Sequence, residues 1–196
     1  MFSQEKENAL GVLITDRPDA TESPSTIPKG YIQVETGSFY ESFEDHTIKT
    51  ETITYNTTLV RLGVLNNLEF RLGWDFVEGI TKINGSRLPD VTSGLTPLLF
   101  GTKIAIAKEN GAFPDIGVLG HLYLPFTAGK DYKPETTGVD FRFSFAHTLS
   151  EQSSLSYNIG AQWGADSPEA AYVYTIAYGL AITNKLGCYA ELYGDF

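Results

Sequence analysis

Between Val139 and Phe145 the chain reads V-D-F-R-F-S-F, with large apolar residues at every odd position (Val139, Phe141, Phe143, Phe145) and polar ones (Asp140, Arg142, Ser144) between them. Successive side chains of a β-strand point to opposite faces, so this stretch makes a strand with one oily and one wet surface. A soluble sandwich could own one such strand. Here the pattern recurs along most of the chain.

Leu68 to Phe76 sets Phe70, Leu72, Trp74 and Phe76 against Glu69, Arg71, Gly73 and Asp75. Similar alternation runs through Leu98–Ala107, Ser154–Trp163 and Tyr172–Ile182. From Gly30 onward the pattern predicts nine strands, at about 30–42, 51–65, 68–77, 96–108, 115–125, 137–147, 153–163, 171–183 and 187–195. The phase of the second blurs near Leu59–Val60, where a bulge is expected. Residues 1–29 hold an apolar patch at Leu10–Ile14 and then T-D-R-P-D-A-T-E-S-P-S-T-I-P, whose prolines and small polar residues predict an irregular leader. The expected division is therefore a leader over 1–29 and a barrel domain over 30–196.

Two barrels fit nine alternating strands: a soluble one with the oily face inward, and a transmembrane one with the oily face outward. A soluble exterior should be rich in Lys, Glu and Thr. The less apolar faces here instead carry Gly63, Gly73, Gly101, Gly117, Gly160 and Gly179 among a few charges, which suits a crowded lumen. The connections also alternate in length. Long ones are expected at 43–50, 78–95, 126–136 and 164–170, and short ones near 66–67, 109–114, 148–152 and 184–186. Outer-membrane barrels have this asymmetry, with short periplasmic turns and long outer loops. The fold class predicted is an all-β, antiparallel up-and-down transmembrane barrel.

Composition agrees. Charged residues make up 19% and aromatic ones 13% of the 196 residues, and the formal net charge of -10 argues against a nucleic-acid partner, which calls for clustered cations. A mean hydropathy of -0.12 does not argue against a barrel, whose alternating strands average out in any window. The lone Cys188 excludes an intrachain disulfide. Met1–Asn8 is not a signal peptide, so an outer-membrane address implies that the export signal has been removed. By the loop alternation the ninth strand ends on the outer side, and an odd count leaves two unpaired edges. The expectation is a barrel with an open seam between first and last strands and at least one further strand in the native product.

At T-D-R-P-D-A-T-E-S-P (15–24), K-G-Y-I-Q-V-E-T-G (29–37) and L-E-F-R-L-G (68–73) the chain resembles the family labelled meta-pathway phenol-degradation transporters, over roughly residues 14–196. That resemblance implies a Gram-negative outer-membrane barrel concerned with passage of small molecules. It supplies no agreed catalytic or binding residues.

The charged residues on the polar faces are the best functional material: Glu35, Glu69, Arg71, Asp75, Lys103, Asp140, Arg142 and Glu191. With the oily face toward lipid these point into the lumen, where they either tune which solutes pass or pair across it and plug it. Glu69 beside Arg71 and Asp140 beside Arg142 favour internal pairing. Arg17 and Asp19 of the leader are expected to meet these charges. His46, His121 and His147 lie far apart in different settings and predict no metal site. A hydrolase built on His147 with Ser144 or Ser156 lacks any nucleophile motif, and A-G-K-D at 128–131 lacks the spacing of a phosphate loop. Asn56 and Asn84 match a glycosylation pattern that a bacterial envelope makes moot. No enzyme activity and no cofactor are expected. The partners expected are outer-membrane lipid and small solutes, aromatic ones among them. The competing reading is a closed structural or surface-interaction barrel without transport.

Overall fold

The computed structural model describes residues 13–17, 19–183 and 185–196. Most of the Leu10–Ile14 patch, and all of Met1–Asn8, lie outside them. From Ile32 onward the chain is an antiparallel β-meander that curls into a half-barrel: β1 (Ile32–Asp45), β2 (Ile48–Leu65), β3 (Leu68–Ile83), β4 (Ser86–Leu95), β5 (Leu98–Ala107), β6 (Asp115–Leu124), β7 (Gly138–Thr148), β8 (Ser153–Trp163), β9 (Ala170–Thr183) and β10 (Leu186–Asp195). The hydrogen-bonded path runs β1-β2-β3-β5-β6-β7-β8-β9-β10, and β1 does not pair with β10. The open seam expected between first and last strands is found.

Ten strands replace the expected nine because β4 occupies part of the presumed loop 78–95. The lower part of β3, Leu68 to Gly73, pairs with β5, and its upper part, Phe76 to Ile83, pairs with β4. Both partners are antiparallel to β3, so β4 and β5 are two lengths of one descending stave. The break falls at Thr96–Pro97, where proline has no N–H for the ladder. The turn above it is Asn84-Gly85, both with positive φ (49° and 78°). That geometry suits a two-residue hairpin, and Asn-Gly is its strongest short-range sequence signal. The presumed loop at 43–50 is likewise a hairpin closed by His46 (φ 50°) and Thr47. Of the four long connections only those after β6 and β8 remain. The other two are strands rising above their neighbours: β2 has 18 residues against 10 in β6.

The bulge expected at Leu59–Val60 is displaced. Register shifts fall instead between Thr54 and Asn56 and between Gly63 and Leu65. They change the phase of β2 twice, which is why its alternation blurs when read as one run.

The faces divide as the alternation predicts. Phe141, Phe143, Tyr174 and Phe100 are exposed on the convex side, while Glu69, Arg71, Lys103 and Ser144 are buried on the concave side. Rings line up on the convex face, across strands where Phe145 stacks on Tyr157 at 4.9 Å between centroids, and along β7 where Phe141 meets Phe143 edge-on at 5.1 Å. A sheet with its apolar surface outside and its charges inside inverts the arrangement of a water-soluble barrel.

Candidate functional site

The concave face is filled largely by the leader. Its last residues dock first: the Gly30 N–H donates to Gly63 O at 2.8 Å, and the Ile27 N–H donates to Glu69 Oε2 at 2.8 Å. Gly63 and Gly117 are glycines because leader backbone lies on them. A Cβ at Gly63 would stand 2.2 Å from Pro28 O, and one at Gly117 would stand 2.8 Å from Pro24 Cα. The lumen crowding inferred from glycine-rich faces thus has a specific source.

Further in, the leader inserts two acids among three wall cations. Asp16 Oδ2 lies 2.5 Å from Lys103 Nζ, 3.0 Å from Arg61 Nη1 and 3.4 Å from Arg71 Nη2. Glu22 takes Arg71 at two points, 2.8 and 3.1 Å, and lies 3.3 Å from Lys103. The wall supplies Glu69, bonded to Arg61 at 2.9 and 3.0 Å, and Glu35, 3.1 Å from Arg61. Four carboxylates therefore face three cations, all within a few per cent of full burial except Glu22. The mismatch divides the two leader acids. Burial pushes the Asp16 carboxyl up, reinforced by neighbouring Glu22. Burial acts on Glu22 too, but Arg71 and Lys103 outweigh it and hold its carboxyl well below the usual range.

The leader also bridges the two edge strands. The Asp16 N–H donates to Glu35 on β1 at 3.0 Å. The Ala20 and Thr21 N–H groups and the Thr21 hydroxyl donate to Glu191 on β10. One short segment thus spans the seam from inside. Beneath it, Asn158 exchanges bonds with Glu22, whose carbonyl also accepts from the Ser144 hydroxyl.

Of the eight residues singled out from sequence, Glu35, Glu69, Arg71, Lys103 and Glu191 meet in or beside this network. Asp140 and Arg142 lie on the same face further outward, and they do not pair with each other. Asp140 instead accepts from the Tyr123 hydroxyl and faces His121, each at 3.0 Å, while Arg142 donates to Ala20 O at 3.2 Å. Asp75 is farther out still, with Oδ1 buried and unpartnered among the described residues. Of the expected leader contacts, Arg17 donates to the Thr57 hydroxyl, and Asp19 makes no ion pair among the described residues. Asp16 and Glu22 take the part assigned to Arg17 and Asp19. Arg61, the hub, is absent from the sequence-derived set because it lies between the two register shifts and shares its face with the buried, apolar Leu59. The histidines are separated: His46 at a hairpin tip, His121 on the concave face, His147 beside Tyr157. Ser144 and His147 are three residues apart in one strand and so face opposite sides, with Ser144 held beneath the leader.

A half-barrel with an apolar outer face, a charged inner face and its own N-terminal segment bound along that inner face defines the class: the wall of an antiparallel β-barrel. Residues 15–196 match the family described as "Putative MetA-pathway of phenol degradation", and the chain belongs to that family. A comparison with curated proteins gave no match.

Proposed function

We propose that this chain forms the wall of an outer-membrane passage for small solutes, acting by passage and not by catalysis. The observation that carries the reading is what fills the interior. Barrels closed to traffic are packed by the side chains of their own strands. Here the filling is a separate segment, tied to the wall by polar contacts of four carboxylates, three cations and backbone N–H donors beside the packing of Pro24, Ile27 and Pro28. Such contacts can be exchanged for water, whereas interlocked wall side chains cannot leave. The strand lengths suit an envelope address. Ten residues of β6 span roughly 34 Å, about the hydrocarbon thickness of a bilayer, and the long hairpins β1–β2 and β3–β4 would rise beyond it on the outer side.

Uptake into liposomes tests this. Vesicles carrying the protein should admit phenol-sized neutral solutes faster than empty vesicles and exclude large oligosaccharides. Equal rates with and without protein would refute the passage reading.

One observation favours the alternative, a closed structural barrel. The pairs of leader Asp16 with Lys103 and Arg61 are essentially fully buried, and breaking a buried pair by losing one partner costs about 3–5 kcal/mol. A leader held that firmly would stay seated, and liposomes would then show no uptake.

A further inference from the structure

Arg71 and Lys103 are wall residues neutralised chiefly by the leader. Lys103 stands opposite Glu69 in the β3–β5 register, yet Glu69 gives its oxygens to Arg61, at 2.9 and 3.0 Å, and to the Ile27 N–H. Glu35 likewise turns to Arg61, at 3.1 Å. Among the described residues the ion pairs of Lys103 are with leader acids alone, Asp16 at 2.5 Å and Glu22 at 3.3 Å. Arg71 makes two short bonds to Glu22, whereas Glu69 lies 3.8 Å from its Nε. Arg61 and Arg71 also face each other across β2 and β3, and like charges directly opposite destabilise a sheet. This stretch of wall therefore calls for anions that it does not itself supply in full.

Glu22 occupies what is in effect a carboxylate seat. A guanidinium fork takes both oxygens of a carboxylate at once, and a neighbouring ammonium adds a point charge. Glu22 is also the accessible member of the network: its side chain is 16% exposed, against 1% or less for Asp16, Arg71 and Lys103. It borders a cavity of about 220 Å³, with Arg17, Arg142 and Leu99 among the other walls, which is smaller than pockets for drug-sized ligands. A solute that reaches Arg71 from this cavity must displace the Glu22 side chain. A neutral solute doing so would leave Arg71 without its two-point partner, and a cation would add to the positive charge. Chloride carries the charge but lacks the two-oxygen geometry. A small organic carboxylate reproduces the lost bonds. It also swaps one negative charge for another, so Asp16, Asp19 and Asp140, which line the same cavity, meet no added charge.

We infer that Arg71 and Lys103 form a carboxylate-binding site in the passage, that leader Glu22 occupies it in this structure, and that small organic carboxylates compete for it. The inference deepens the passage reading by naming a favoured solute class and rests on it for biological meaning, but its test is separate. The full-length chain in detergent micelles is treated with a glutamate-specific protease, which cuts after Glu22 only when that residue leaves the wall. Sodium acetate, sodium chloride and acetamide are compared at one ionic strength, well above the roughly millimolar effective concentration of a short tether. Acetate should raise the rate of cleavage after Glu22 about tenfold over the other two, because only it matches the guanidinium fork. Calorimetry gives a second readout. Glu22→Gln removes the tethered competitor, so acetate should bind that variant about tenfold more tightly than the parent. Adding Arg71→Lys, which keeps the charge and loses the fork, should leave acetate binding no better than chloride. Equal cleavage in the three solutions, equal acetate binding by parent and Glu22→Gln, or an acetate advantage that survives Arg71→Lys would overturn the inference. Acetate binding without uptake of any solute into liposomes would sink the passage reading and leave the site standing. Uptake of neutral solutes with no acetate advantage would do the reverse.

Discussion

Arg71 on β3 and Glu22 in the leader meet as a two-point pair, Nη1 2.8 Å from Oε2 and Nη2 3.1 Å from Oε1. It ties a segment without regular structure to the middle of the wall. Arg71→Met removes one partner and strands a carboxylate, so it should destabilise the folded protein by about 3–5 kcal/mol in denaturant titration. It should also open the leader to protease. Leader cleavage unchanged from the parent protein would show that other contacts hold the segment.

Adjacent residues of β7 offer a sharper contrast. Phe143 is exposed on the apolar face, so Phe143→Arg should impair insertion into vesicles by about 2–4 kcal/mol. Ser144 is fully buried and donates to the Glu22 carbonyl, leaving no room for arginine beneath the leader. Ser144→Arg should therefore insert normally and yet release the leader, seen as new protease sensitivity before residue 30. If both variants fail to insert alike, the face assignment is wrong.

Leader docking can be probed through glycine alone. A Cβ at Gly63 meets leader backbone at 2.2 Å, whereas one at Gly37 would find Thr57 Cγ2 at an ordinary 3.6 Å. Gly63→Ala should loosen the leader and Gly37→Ala should not, with hydrogen exchange at Ile27 and Gly30 as the readout. Identical exchange in the two variants would contradict the docking.

Most of this wall was legible in the sequence, because period-two alternation survives wherever one face is apolar and the other is not. The V-D-F-R-F-S-F strand and its partner around Tyr157 needed nothing more. Legibility failed where the wall leaves that regime. β4 (S-R-L-P-D-V-T-S-G-L) has no oily face to alternate with, and only Asn84-Gly85 marked its hairpin. Arg61 was hidden by the register shifts on either side of it. Which leader acids would reach the cations could not be read from spacing. A proline-rich segment has no fixed period, so Asp16 and Glu22 are distinguished from Asp19 only by the folded geometry.

The connections after β6 and β8 carry a pH-dependent link. Asp166 accepts from the N–H groups of Glu135 and Thr136, at 3.0 and 2.8 Å, and from the Thr136 hydroxyl. The Glu135 N–H, followed by those of Thr136, holds its carboxyl below the ordinary 3.8. A lowered carboxylate stabilises above its unfolded value and ceases to as pH falls through the folded one. The link between the two loops should therefore persist at pH 5 and fail well below pH 4. Amide exchange at Thr136 reports it, and Asp166→Asn should abolish the pH dependence. Exchange that is flat with pH in the parent protein would refute the link.

The central claim, a charged passage occupied by its own leader, is tested most directly by current through planar bilayers. The parent protein is compared with the double variant Asp16→Asn, Glu22→Gln, which neutralises the two leader acids that meet the wall cations and leaves the wall intact. Because those acids hold the leader against Arg61, Arg71 and Lys103, the variant should conduct severalfold more than the parent at the same voltage. Equal currents from the two proteins, or none from either, would contradict the account.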